Sequence, residues 1–190
     1  MLKSALRGLL LAAALVAGTN AAADVVTFEF FGRVSSTSPM ARQGAPVLGR
    51  FSWDTSAPLS PPYEGASQSV YTAPYTFGIS FQVGAHKVSS DQMNVVVWND
   101  LGGNVGDMID IGGARAVIDG TLFENGHFDI RLASAPGNTT ALSSPQLPSE
   151  LNVDSFDSVG MNYFQLLTGV VSNEVLLDVK LEWIRRTAAP

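Results

Sequence analysis

Residues 26–34, "VTFEFFGRV", alternate in a two-residue period. Val26, Phe28, Phe30 and Val34 fall on one side with Gly32, and Thr27, Glu29 and Arg33 fall on the other with Phe31 as the exception. A two-residue period of this kind is the mark of a half-buried strand. The pattern recurs along the chain. Val47, Gly49, Phe51 and Trp53 alternate with Leu48, Arg50, Ser52 and Asp54, and Phe77, Ile79, Phe81 and Val83 alternate with Thr76, Gly78, Ser80 and Gln82. Further strands are predicted at Phe128–Leu132 and at Val175–Trp183, with shorter β-rich runs at 93–98, 108–111, 116–122 and 161–167. A capped, helix-period apolar pattern is missing, and the nearest thing to one is a single turn within 148–156.

Strands with one polar face each, joined by turn-forming residues, predict an all-β fold of antiparallel sheets. The expected architecture is a two-sheet, jelly-roll-like β-sandwich, with a distorted barrel as the alternative. Hairpin connections are expected at Val83–His86 and Glu124–His127, where Gly and Asn supply positive φ. The stretches 35–46, 55–69 and 134–148 read as irregular, with prolines that keep them out of a sheet interior. Only Val175–Trp183 matches the first strand in length and regularity, so the first and last strands are expected to pair.

The first 23 residues stand apart. Lys3 and Arg7, the apolar run Leu9–Ala17, and small Ala21 and Ala23 before Asp24 have the order of a secretory signal peptide. The apolar run falls short of the about 20 residues needed to cross a bilayer. Residues 24–190 then form one domain of a size that needs neither metal nor disulfide, and the chain has no cysteine. Without Lys3 and Arg7, the 11 basic residues fall to 9 against 17 acidic ones, and the net charge moves from −6 to −8. That balance argues against nucleic acid or an anionic membrane as a partner, and no span is expected in the mature chain.

Several segments, taken in order, carry a resemblance: "VTFEFFGRVSS", "VLGRFSWDTSAP", "YTFGISFQVGAHKV", "VWNDLGGNVGD" and "LPSELNVDSFDS". The chain resembles small exported bacterial β-sandwich proteins that carry a PEP-CTERM sorting tail. The resemblance implies export and an extracellular setting, with no catalytic residues to transfer. The ending "LEWIRRTAAP" departs from that family, because it has no Pro-Glu-Pro motif, hydrophobic helix or basic cluster. Release into the periplasm or medium is the corresponding expectation.

Candidate chemistry is sparse. His86 and His127 both sit at expected turns, no G-x-S-x-G elbow exists, and zinc lacks a ligand set. Calcium has candidate oxygens in Asn99, Asp100, Asp154 and Asp157, although Asp and Asn are also what turns require. Trp53 and Trp183 fall on inward phases, whereas Tyr63, Tyr71 and Trp98 lie in or beside loops or out of phase. These last three are the expected ligand-binding aromatics. The chain therefore reads as a secreted, non-catalytic structural or adhesive protein of the bacterial envelope or extracellular matrix. Its expected partners are extracellular polysaccharide or other envelope proteins. A carbohydrate-binding module and a polysaccharide-active enzyme are the alternatives.

Overall fold

In the computed structural model, the described residues are 24–60, 68–72, 76–103, 105–158, 160, 162–168 and 174–187. The signal peptide expected over 1–23 and the candidate Tyr63 lie outside them. The strands are β1 (Val25–Val34), β2 (Pro46–Asp54), β3 (Gln68–Thr72), β4 (Thr76–Val83), β5 (His86–Ser90), β6 (Gln92–Trp98), β7 (Met108–Ile118), β8 (Thr121–Ala133), β9 (Tyr163–Thr168) and β10 (Glu174–Arg186). A 3₁₀ turn at Val153–Ser155 stands where the sequence allowed a single helical turn.

The all-β reading holds, but the two-sheet sandwich does not. The strands run β3-β6-β7-β5-β4-β2-β1-β10-β9-β8, every pairing is antiparallel, and β8 returns to pair with β7. That last ladder closes an 8-strand barrel from β7 round to β8. Closure depends on β7 serving two neighbours on one side. Its first half pairs with β6 over Met108–Ala114, and its end pairs with β5 through Val117 and Ile118. The β6–β3 pair thus branches from the ring and adds Tyr71, Met93, Val95 and Val97 to the same core.

The opening strand finds its neighbours on both sides. β1 pairs with β2 from Val25↔Asp54 to Arg33↔Pro46, and with β10 from Phe28↔Arg186 to Val34↔Val179. Phe28 and Phe30 share one core with Leu177, Val179 and Leu181, as expected from pairing the first and last strands.

An eight-stranded barrel has an interior that side chains can fill, and aromatic rings fill this one. Phe28, Phe51 and Trp53 pack at centroid separations of 4.9–5.3 Å. Phe81 of β4 meets Phe164 of β9 edge to face at 4.7 Å, although the two strands stand on opposite sides of the ring. Two glycines admit these rings. A Cβ on Gly49 would lie 2.3 Å from the Phe30 ring, and one on Gly113 would lie 2.0 Å from that of Phe128. The segment after β8 is irregular as expected, yet it packs as a cap. Leu142, Leu147 and Leu151 are buried, and Trp53 Nε1–H donates to the Pro148 carbonyl at 3.0 Å.

β-Bulges re-phase several side chains. The register shifts between Phe31 and Gly32 where β1 meets β10, so Leu181 stays inward, Ile184 becomes inward, and Trp183 turns to the outer wall. Another shift, between Val175 and Leu177, leaves Val175 exposed. The hairpin expected at Glu124–His127 is an irregularity within β8 opposite Arg115. The true turn is Asp119-Gly120, both at positive φ, joining Ile118 to Thr121. The Val83–His86 hairpin is present, with Gly84 at positive φ.

Candidate functional site

A packed interior leaves the outer wall as the place for chemistry. Two adjoining cavities, about 380 Å³ and about 540 Å³, lie along the outside of β2, β4 and β5 and share Arg50, Ser80 and Ser89. Together they form a trough. One end is lined by Thr27, Ser52, Gly78, Ser90 and Asp91. The other end is lined by Glu29, Leu48, Gln82, Lys87, Val117 and Gly120.

Local sequence makes this wall concave. The β2–β4 register breaks between Phe51 and Trp53, opposite Gly78. Gly78 has φ +85°, and a Cβ there would lie 2.2 Å from the Ser90 carbonyl oxygen. Only glycine both adopts that φ cheaply and lets the end of β5 come so close. β5 itself is only five residues long and meets β7 at just Val88 and Ser89, so the wall gives way there.

Arg50 sits at the centre of the trough. Strand alternation turns it outward between buried Gly49 and Phe51. Glu29 stands directly opposite in the β1–β2 register, the position where opposite charges usually join. The Glu29 carboxylate is instead held by Arg185 at 2.9 Å, and Arg50 has no ion-pair or hydrogen-bond partner among the described residues. Hydroxyls surround it. Thr27 and Ser52 hydrogen-bond each other at 2.8 Å, and Ser90 Oγ donates to the Ala114 carbonyl at 2.5 Å. Leu48, 53% exposed, supplies an apolar surface at the other end.

Next to the trough, the outer wall carries a column of four planar groups. The guanidinium of Arg33 lies 5.4 Å from the Phe31 ring, Phe31 stacks on Trp183 at 5.7 Å, and Arg185 lies 4.4 Å from the Trp183 ring. Glu182 and Glu29 hold the two guanidinium groups, each at 2.9 Å. Both outer ring faces are thus covered by cations, and Arg185 contacts both the Trp183 ring and the Glu29 carboxylate.

A second polar cluster lies on the outside of β7, β8 and β9. Arg131 donates to Asp110 Oδ2 from Nε at 3.1 Å and from an Nη at 2.5 Å, and it stands 3.6 Å from Asp129. The Tyr163 hydroxyl donates to Asp129 Oδ2 at 3.1 Å, while Asp129 Oδ1 is buried without a partner. Burial first, and then the neighbouring Asp110 carboxylate, push Asp129 up to about 7, against the opposite pull of Arg131 and Tyr163. Burial, reinforced by the Asp129 charge, pushes the Tyr163 phenol up to about 12. The Asp110 and Asp129 carboxylates do converge here, but they line neither end of the trough.

The residues singled out from sequence are dispersed. Tyr71 is 3% exposed, with its hydroxyl donating to the Pro145 carbonyl at 3.3 Å, so it packs in the core and presents no ring to a ligand. Trp98 is half-buried on the outer face of β6, between Gln68 and Met108. Asp100 uses its N–H on buried Asp107, and Asn99 donates to the Asp100 carboxylate. Asp157 accepts from the Ala135 N–H at 2.8 Å and from Asn138 at 2.9 Å, and these bonds hold its pKa below the usual carboxylate value. The Asp154 N–H is taken up by the Asn152 side chain. Asp100, Asp154 and Asp157 do not assemble, since no group of three or more His, Cys, Asp or Glu able to hold a metal exists among the described residues. His86 Nδ1 hydrogen-bonds the Asp119 carboxylate at 2.7 Å. Sequence reasoning missed Arg50, although the alternation of β2 carried its outward direction. The turning-out of Trp183 had no sequence signal.

No protein-family model, no curated protein and no solved structure matches the chain.

Proposed function

We propose that this is an exported, non-catalytic, adhesive protein of the bacterial envelope or extracellular matrix that holds extracellular polysaccharide against its outer wall. The observation that carries this reading is the trough. It combines hydroxyls, an unpaired guanidinium and an exposed leucine along three strands, the mixture of polar and apolar groups that suits sugar hydroxyls and ring faces. Its two cavities run into each other through Arg50, Ser80 and Ser89, so a polymer could lie along it where a closed pocket would admit only a short end. The ordered motifs resembling exported PEP-CTERM-type proteins support the extracellular setting.

The test is retention on a panel of insoluble and gel-embedded polysaccharides, comparing the wild type with Ser80→Trp, which places an indole in the middle of the trough from an outward strand position. Retention of the wild type on at least one polymer, lost in Ser80→Trp at unchanged melting temperature, is the expected result. Equal retention of both proteins, or retention of neither on any polymer, overturns the reading.

A further inference from the structure

Resting on the polysaccharide reading, we infer that the trough selects an acidic polysaccharide, with one carboxylate of a uronate-type polymer on the Arg50 guanidinium and a second on Lys87. Arg50 is unusual in this acidic chain. Arg33, Arg115, Arg131, Arg185 and Arg186 all have carboxylate partners. Arg42 and Arg50 have none among the described residues, and of the two only Arg50 lies in a cavity.

The structure keeps Arg50 free despite a carboxylate in the facing position. Glu29 is drawn away by Arg185, which also lies over the Trp183 ring. An unpaired guanidinium presents a planar fork of N–H donors that fits a carboxylate bidentately. Ser80 and Ser89 lie beside it in both cavities, placed to meet the hydroxyls of the same sugar.

Lys87 gives the site its second cation. It lies two strands over from Arg50, and its register partner Gln82 faces Leu48, two residues along β2. From ordinary strand spacing and rise, the two side chains leave the wall about 12 Å apart. That spacing suits charges carried on separate sugars. A nucleic acid carries its charge far more densely, one per about 1.7 Å of duplex, and the net negative charge of the chain opposes so dense a polyanion more strongly than a polymer with one carboxylate per sugar.

The experiment is affinity electrophoresis at low ionic strength in gels containing polygalacturonate, alginate, neutral dextran or single-stranded DNA. It uses the wild type, Arg50→Gln, Arg50→Lys and Lys87→Gln, with melting temperatures to confirm folding. The expected result is retardation by the two uronate polymers only. Arg50→Gln should weaken it about tenfold, with a smaller loss in Arg50→Lys and Lys87→Gln. Retardation by dextran equal to that by the uronates, with Arg50→Gln unchanged, would overturn this inference and leave the polysaccharide reading standing. Retardation by DNA as strong as by uronate would overturn the inference by showing an unselective anion surface. No retardation by any polymer would overturn both.

Discussion

Arg50 and Arg131 occupy equivalent places on opposite walls. Each projects outward from a strand, and each has a carboxylate on the neighbouring strand in direct register: Glu29 for Arg50 and Asp110 for Arg131. Arg131 takes its carboxylate, and Tyr163 and Asp129 complete a half-buried cluster around it. Arg50 loses its carboxylate to Arg185 and stands in an open trough. An arginine facing a carboxylate in direct register is thus part of the scaffold on one wall and, on the reading proposed above, available for a ligand on the other. The difference comes from a third group. Tyr163 reinforces the first cluster, whereas the cation–π stack on Trp183 competes for the acid of the second.

The largest effect that would sharpen this contrast is on stability. Arg131→Met leaves Asp110 and Asp129 facing each other uncompensated, and is expected to cost about 2 kcal/mol in urea unfolding, less than for a fully buried pair because water still reaches the cluster. Arg50→Met removes no partner and is expected to change stability by under about 0.5 kcal/mol. Equal costs would dissolve the distinction between the walls.

The next effect is pH dependence. Asp129 is raised to about 7 in the folded protein from 3.8, so across that window the native state keeps a proton that the unfolded chain gives up. The contribution is present in full below the unfolded value and is lost as pH rises through the folded one. The wild-type melting temperature is expected to fall by roughly 3 °C or more between about pH 5 and about pH 8, relative to Asp129→Asn. Parallel profiles for the two proteins would mean that Asp129 is ionised throughout.

The smallest effect tests the competition itself. Arg185→Ala frees Glu29 to turn to Arg50 across the strand pair, making the trough wall resemble the Arg131 wall. Uronate binding is expected to weaken by about threefold, a coupling typical of a cross-strand charge pair, although Arg185 lines neither cavity. Binding unchanged in Arg185→Ala would mean that Glu29 does not compete for Arg50.

Much of the scaffold was legible in the sequence. Alternation located most strands, and the matched regularity of 26–34 and 175–183 anticipated the ladder between β1 and β10. Closure into a barrel was not legible, because sandwich and barrel strands alternate alike. What separates them here is the divided pairing of β7, a long-range register effect. The Asp119-Gly120 turn is readable from its residue types, but Asn125-Gly126 carries the same signal and occupies a bulge. Tyr71 was read as a loop-side ring because prolines precede it, yet Ser69 and Tyr71 are the inward positions of a short strand. Trp183 was placed inward because a bulge adds a residue that period-two counting cannot see. For Arg50, its direction was legible. Its lack of a partner was not, because that depends on Arg185, which stands 156 residues from Glu29 in the chain.

That long separation also sets a timetable. β1 is made first and β10 last, yet each lies between two neighbours only when the other is in place. While the chain is still being synthesised, Phe28 and Phe30 lack the strand that completes their cover, and β1 shows an unpaired edge. Barrel closure therefore waits for the whole polypeptide. Until then the nascent chain needs protection from its own sticky segments.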